Sequence, residues 1–346
     1  MTHPFTTKLL NWFWENGRSL PWRETRDPYA IWLSEVILQQ TRIAQGMAYW
    51  ERFMARWPTV EALAEATEDE VLRMWQGLGY YSRARNLHAA ARRIVEMGHF
   101  PDTMAEIRQL KGVGDYTAAA IGSIAFDLPA AVVDGNVYRV LARHFSIEVP
   151  INTTEGKKTF TAMAQELLPP SEASAFNQAM MDFGAIQCTP QSPRCLVCPL
   201  MEGCEALRTG RVGLLPVKLK TVKIRERRLF YTYIRCKGCI AIHRRGAGDI
   251  WQGLWEPFVS EKAPFFDSSH FTPFPTEGHL SVAFHSSLIR QNVRHVLTHQ
   301  VIMADFYLLE TEERPVLPED YIWIQESDFD DYAKPRLVEI LLELLP

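Results

Sequence analysis

The chain has 346 residues, 47% of them apolar, enough for two or three domains and a sizeable buried core. A formal net charge of −4 excludes a protein that coats nucleic acid through its overall charge, but it leaves room for a local basic face. No apolar run reaches the ~18 residues of a membrane span, and no secretory signal peptide is legible, so the expectation is a cytosolic protein.

Phe5 to Gly17 mixes Trp and Leu with Lys8, Asn11, Glu15 and Asn16, the pattern of an amphipathic helix. Asp27-Pro28 then reads as an N-cap with proline at the first helical position. On the helix that follows, Ile31, Glu35 and Leu38 share a face. A carboxyl set in an apolar wall has its charged form disfavoured and can carry a proton at neutral pH. At the edge of that stripe it would simply reach water.

Thr67 and Glu70 make a capping box before Val71–Trp75. Gly77-Leu78-Gly79-Tyr80-Tyr81 is a loop with apolar and aromatic tips, suited to wedging between bases or to packing locally. Ser82 opens a long helix carrying Arg83, Arg85, Arg92 and Arg93, a basic stripe that faces water or meets phosphates.

The stretch from Leu110 to Arg139 organises the rest. Gly112-Val113-Gly114 reads as a tight turn between two helices, where paired glycines permit positive φ and close backbone approach. The second helix, from about Asp115, points free N–H groups and its positive dipole end outward, a place for a phosphate. The apolar run Ala130–Val133 ends in Asp134-Gly135-Asn136, which delivers a carboxylate to the next helix start. Asp134 can serve there as an ordinary cap or as a functional charge.

Helices continue to about Gly184, with a break at Leu168-Pro169-Pro170. Cys188, Cys195, Cys198 and Cys204 then form a C-x6-C-x2-C-x5-C pattern. Four thiolates on one compact loop suit a 4Fe–4S cluster or zinc; structural zinc more often uses two separated C-x2-C pairs, which favours iron–sulfur. Arg208 to Arg228 reads as a basic linker able to lie along a phosphate backbone. Beyond it the period changes to two. Residues 229–236, Lys237-Gly238 and 239–245 predict a hairpin with Cys236 facing Cys239 as reduced thiols. More strands are predicted at 282–289, 301–309 and 321–324, with loop over 260–279 and a terminal helix over 335–345.

Leu20-Pro21-Trp22-Arg23, SEVILQQTR at 34–42, GLGYYSRARNL at 77–87, GVGDYTAAAI at 112–121, VDGNVYRV at 133–140, FNQAMMDFGA at 176–185 and the cysteine loop occur in one order. On these motifs, over nearly its whole length, the chain resembles the helix-hairpin-helix base-excision DNA glycosylases, and within them the MutY type. The resemblance implies a multidomain fold, α then α+β. A helical catalytic domain would occupy 1–208, with a six-helix lobe at about 22–134 and an iron–sulfur lobe of 1–21 with 135–208. A basic linker at 209–228 and a Nudix-like lesion-recognition domain at 229–346 would follow. The implied activity is base excision repair on double-stranded DNA, by a nucleoid-associated monomer that removes adenine mispaired with 8-oxoguanine or guanine.

The resemblance also implies roles. Glu35 matches the general acid that protonates the adenine ring, and Asp134 the carboxylate that stabilises the sugar cation. Tyr116 and Asn136 match residues that orient that carboxylate, while Trp22, Arg23 and Gln178 match positions around the flipped adenine. Gln40, Thr41, Leu78 and Tyr80 belong with the residues that fill the opened duplex, and Gly112, Val113 and Gly114 with the DNA backbone. Cys188, Cys195, Cys198 and Cys204 would hold a 4Fe–4S cluster.

The chemistry of the residues agrees with this. Adenine is a poor leaving group, so its release calls for one protonated and one ionised carboxyl, and the base must first leave the stack. Strand-cutting relatives carry lysine where this chain has Tyr116, which implies a glycosylase without lyase activity. The lesion-reading loop, usually Phe-Ser-His, stands here as Leu297-Thr298-His299 and assigns Thr298 and His299 to 8-oxoguanine. After Trp251–Glu256 no carboxylate-rich helix appears, so the C-terminal domain lacks the means to hold Mg²⁺ for pyrophosphate hydrolysis. Two other readings are a thymine glycosylase or lyase on the same fold, and a DNA-bound iron–sulfur protein without catalysis.

Overall fold

Caps and turn residues set where the elements begin. The computed structural model describes residues 2–219, 224–263, 265–267, 270–272 and 284–346. The chain divides into two units, Met1–Glu65 with Asn86–Lys220, and Ala66–Arg85 with Thr221–Pro346. Before Arg85 come α1 (Pro4–Asn16), α2 (Pro28–Leu38), α3 (Ile43–Arg56), α4 (Val60–Glu65), α5 (Glu68–Trp75) and the start of α6 (Ser82–Met97). After it come α7 (Met104–Ile107), α8 (Asp115–Phe126), α9 (Gly135–Phe145), α10 (Thr154–Leu167), α11 (Ala173–Asp182) and α12 (Glu205–Arg208).

The predicted caps are in place. Asp27 accepts from the Tyr29 N–H at 3.0 Å with Pro28 leading α2. Thr67 and Glu70 make both bonds of a capping box on α5. Gly112 takes positive φ (82°), whereas Gly114 is extended and starts α8 with no side-chain cap, leaving first-turn N–H groups free. Helix α2 is buried all round from Tyr29 to Ile37, so Glu35 is enclosed rather than set at the edge of a stripe.

In the first unit, Phe5, Leu9, Val137, Leu141, Phe160 and Phe176 join α1 to α9, α10 and α11 in one core, with Cys188, Cys198 and Cys204 packed at its margin. Ile31, Ala119, Ala120, Ile124 and Val132 form another, between α2 and α8. Tyr116 and Met181 border it.

The second unit is built on β1 (Arg225–Cys236), β2 (Cys239–Arg244), β3 (Trp255–Glu256), β4 (Phe258–Ser260), β5 (Phe265–Asp267), β6 (His270–Thr272), β7 (Phe284–Val296), β8 (Gln300–Thr311) and β9 (Tyr321–Gln325). The main sheet runs β3-β2-β1-β8-β7, with β4 also on β1 and β9 on β2; β5 and β6 pair apart from it. β1 and β8 are parallel. Alternation along β1 sends Leu229, Tyr231 and Tyr233 to the face covered by Leu337, Val338 and Leu341 of α13 (Arg336–Leu344). Ile234 packs on the other face with Phe258 and Leu309. Helix α5 belongs to this unit through ion pairs from Arg244 to Glu68 (2.9 Å) and Arg73 to Asp331 (2.7 Å).

The hairpin turn is Lys237 (φ 48°) and Gly238 (φ 77°), the two positive φ values of a type I′ turn, and it sets Cys236 opposite Cys239 as buried free thiols. β1 starts at Arg225, before the expected 229, and β7 runs beyond the expected 289 across two bulges. Val282 and half of the stretch 260–279 lie outside the described residues; the described part of that stretch, expected as loop, carries β5 and β6.

The basic stripes are largely spent on structure. Arg83 is buried over the Trp75 ring and donates to Leu78 O at 3.1 Å, and Arg85 donates to Gln252 O. In the expected linker, Arg211 pairs with Glu148, Arg227 with Asp249 and Glu261, and Arg228 with Asp305. Lys220 and Lys223 lie outside the described residues. Among the described residues no helix is long and apolar enough to cross a membrane.

Candidate active site

Four elements of the first unit converge on one hollow of about 290 Å³. Helix α2 brings Glu35, α8 Tyr116, the start of α9 Asp134 and Asn136, and α11 Gln178. Trp22 and Arg23 complete the predicted lining; Thr41, expected in the opened duplex, also lines the hollow, as do Arg18, Arg42 and Met181. The two carboxyls therefore face the same cavity.

They differ in what holds them. Glu35 is 8% exposed and accepts one bond, from the Tyr116 hydroxyl at 2.9 Å. Burial raises its pKa to about 7; Tyr116 and Arg23 pull it down, and the Asp134 charge pushes it up. Asp134 accepts from Asn136 N (2.8 Å), Val137 N (2.8 Å) and Asn136 Nδ2 (2.8 Å). Burial still leaves its pKa above the ordinary carboxylate value, against those bonds and the nearby Arg139. Two carboxyls in one hollow titrate as a pair, and the member with three donors and a guanidinium is the one that keeps the charge.

Two expectations change. Tyr116 was expected on Asp134, but its hydroxyl bonds Glu35; Asn136 alone of that pair holds Asp134. The helix start was expected to keep Asp134 ionised; its N–H groups do bond the carboxylate, but burial works against them.

Gln40 is outside the lining, exposed, with positive φ (57°). Tyr80, in the second unit, also takes positive φ (47°) and is 49% exposed. Such strain costs on the order of 1 kcal/mol or more and tends to gather at functional sites. Within that unit, Leu78, Tyr80, Trp251, His295, Thr298 and His299 line a hollow of about 480 Å³. The Tyr80 and Thr298 hydroxyls are hydrogen-bonded. Leu78 is buried rather than presented at a tip, its carbonyl held by Arg83.

Three residues escaped the sequence reading. Arg18 and Asp182 are laced together beside the hollow. Arg139 donates both to Asn136 Oδ1 (2.8 Å) and to Cys188 O (2.7 Å), linking the holder of Asp134 to the cysteine loop. Asp182 inside the apolar stretch Ala179–Phe183 was the one visible signal.

The cysteine loop follows α11 through one π-helical turn, Phe183–Gln187. Cys188, Cys195, Cys198 and Cys204 line one small pocket with Arg143 and Leu207. Burial, helped by the neighbouring Cys188, Cys204 and Cys195 and opposed by the Leu200 backbone N–H, raises Cys198 to about 11. Four thiolates so arranged need a cationic centre. Four cysteines lining one small pocket offer one thiolate to each iron of a cubane cluster. The donor set fits a 4Fe–4S cluster. Arg143 donates to Cys188 Sγ at 3.4 Å and to Thr189 O at 2.7 Å, stiffening the loop.

Comparison with known proteins agrees with this layout. Residues 33–170 match the model of the HhH-GPD superfamily base excision DNA repair protein, 188–204 the iron-sulfur binding domain of endonuclease III, and 230–344 a NUDIX domain. The adenine DNA glycosylase of Mus musculus is 44% identical over 226 residues, which are 61% of this chain and 44% of that protein. The chain thus spans less than half the length of that relative. The adenine DNA glycosylase of Buchnera aphidicola subsp. Baizongia pistaciae is 35% identical over 255 residues, 72% of each protein. Among solved structures, a thermostable thymine-DNA glycosylase matches with a TM-score of 0.56 at 31% identity, over 59% of this chain and 95% of that one. A helix-hairpin-helix domain with an iron–sulfur loop, followed by a NUDIX-like sheet domain and carrying that likeness to the Buchnera protein, places the chain in the adenine DNA glycosylase family.

Proposed function

We propose that the protein is a monofunctional DNA glycosylase of base excision repair that hydrolyses the N-glycosidic bond of adenine opposite 8-oxoguanine or guanine. The observation that carries this reading is the single hollow shared by Glu35 and Asp134. Glu35, with its pKa raised to about 7, is protonated in about half of the molecules at neutral pH and gives that proton to the extruded base, making adenine a better leaving group. Asp134, fixed by Asn136 and Val137, supplies negative charge opposite the sugar as the bond breaks. Trp22, Arg23 and Gln178 surround the base.

Strained Gln40 and Tyr80 fill the gap in the duplex, as does Thr41. The turn Gly112-Val113-Gly114 sits on a phosphate through the uncapped start of α8. Thr298 reads the opposite base by its hydroxyl, next to Tyr80. When bound, the cluster on Cys188, Cys195, Cys198 and Cys204 supplies the loop with its counter-charge and rigidity.

The test is incubation with duplexes bearing adenine opposite 8-oxoguanine, guanine, cytosine or thymine, and thymine opposite guanine, with and without alkali. Free adenine from the first two, and strand breaks only after alkali, are expected. Thymine release would favour the chemistry of the thymine-DNA glycosylase neighbour, and breaks without alkali would indicate a lyase.

A further inference from the structure

Asp182, the last residue of α11, is the most heavily hydrogen-bonded carboxylate beside the hollow and has no part in the chemistry above. It is fully buried. Its Oδ2 accepts from the Arg18 backbone N–H (2.8 Å) and Arg23 Nη1 (2.8 Å). Its Oδ1 accepts from Arg18 Nε (2.9 Å), Arg18 Nη2 and Arg23 Nη2 (2.8 Å). Arg23 also donates to Arg18 O at 3.1 Å, so one carboxylate laces together two guanidinium groups and the turn between them. Burial alone would raise the Asp182 pKa, but the bonds from Arg23 and Arg18 outweigh it and hold the group below the ordinary value, ionised.

A buried ion cluster is poor evidence of stability, because desolvation consumes most of the attraction. Its position suggests another use. Arg18 and Arg23 line the hollow with Glu35, and Asp182 stands outside the lining. The charged and titratable groups facing Glu35 are Tyr116 from α8, Asp134 at the start of α9, and Arg23, with Arg18 and Arg42 in the same wall. Of these, Arg23 and Tyr116 favour the ionised form.

We propose that Asp182 is a positioning residue for the proton donor: it holds Arg18 and Arg23 against the wall and offsets their charge, so that Glu35 keeps its proton. The proposal rests on Glu35 being that donor. Without Asp182, two uncompensated guanidinium charges would stand beside Glu35 and draw its proton away.

The test is the pH dependence of single-turnover adenine release from a duplex with adenine opposite 8-oxoguanine, from pH 5 to 9. The wild-type rate should fall as pH rises past the Glu35 pKa. In Asp182→Asn that fall should move to lower pH by roughly half a unit or more, the scale of one neighbouring charge removed. In Arg23→Gln it should move to higher pH. A merely structural role would lower the rate without moving the limb in opposite directions. A limb unmoved or raised in Asp182→Asn overturns the proposal; should that variant not fold, an unmoved or lowered limb in Arg23→Gln does so. Wild-type protein that releases no adenine would overturn the glycosylase reading and this proposal together, whereas an active wild type with fixed limbs overturns the proposal alone.

Discussion

The Tyr116 hydroxyl donates to Glu35 at 2.9 Å and leaves Asp134 to the donors of α9 and Asn136. Burial sets the Glu35 pKa near 7, and this bond restrains it from rising further. Tyr116→Phe should therefore move the fall in base release to higher pH, with a loss of less than about tenfold at pH 6. A pH–rate profile checks it; a limb that moves to lower pH would assign Tyr116 elsewhere.

Glu35→Gln should abolish adenine release, by a factor of 10³ or more, while duplex binding by gel shift persists. It should also alter stability in a defined direction. The folded pKa is raised from 4.5 to about 7, so between those values the unfolded chain has lost a proton that the folded chain keeps. Stability falls as pH rises through that window and levels off above it. The Gln variant should match wild type below pH 4.5 and exceed it by roughly 3 kcal/mol above pH 8, read from urea midpoints.

Asp134→Asn separates cap from charge, because asparagine caps a helix about as well as aspartate. Thermal stability should change little while the single-turnover rate falls by several powers of ten. A loss below tenfold, about 1.4 kcal/mol, would reduce Asp134 to a cap.

Thr298→Ala removes the hydroxyl bonded to Tyr80. Preference for adenine opposite 8-oxoguanine over guanine should fall several-fold, with the guanine substrate least affected. An unchanged ratio of the two rates would free Thr298 of the lesion-reading role.

Cys198→Ala should abolish the broad visible absorbance of the purified protein and lower its iron content. Through Arg139, which bridges Cys188 O to Asn136, the loosened loop should also cost about tenfold or more in base release. Full activity in the iron-depleted variant would show that the bridge does not transmit.

Local signals survived folding well. Asp27, Thr67 and Asp134 cap the helices expected of them, and Lys237-Gly238 makes the expected turn, because caps and two-residue hairpins are decided within a few residues. The pairing of Tyr116 with Glu35 was not legible, since they lie 81 positions apart and only the packing of α2 on α8 decides which carboxyl the phenol meets. Asp182 was hidden for the same reason, its partners lying 159 to 164 residues earlier. Arg83 read as part of a basic stripe because sequence gives spacing around a helix but not which side is covered.

The sheet unit is assembled from two stretches of chain, Ala66–Arg85 and Thr221–Pro346. It is therefore not an appendage that one cut can detach. Shortening the protein before 229 would strand helix α5, with Glu68 and Arg73 deprived of Arg244 and Asp331. Chimeras that exchange this half between homologues need three junctions rather than one.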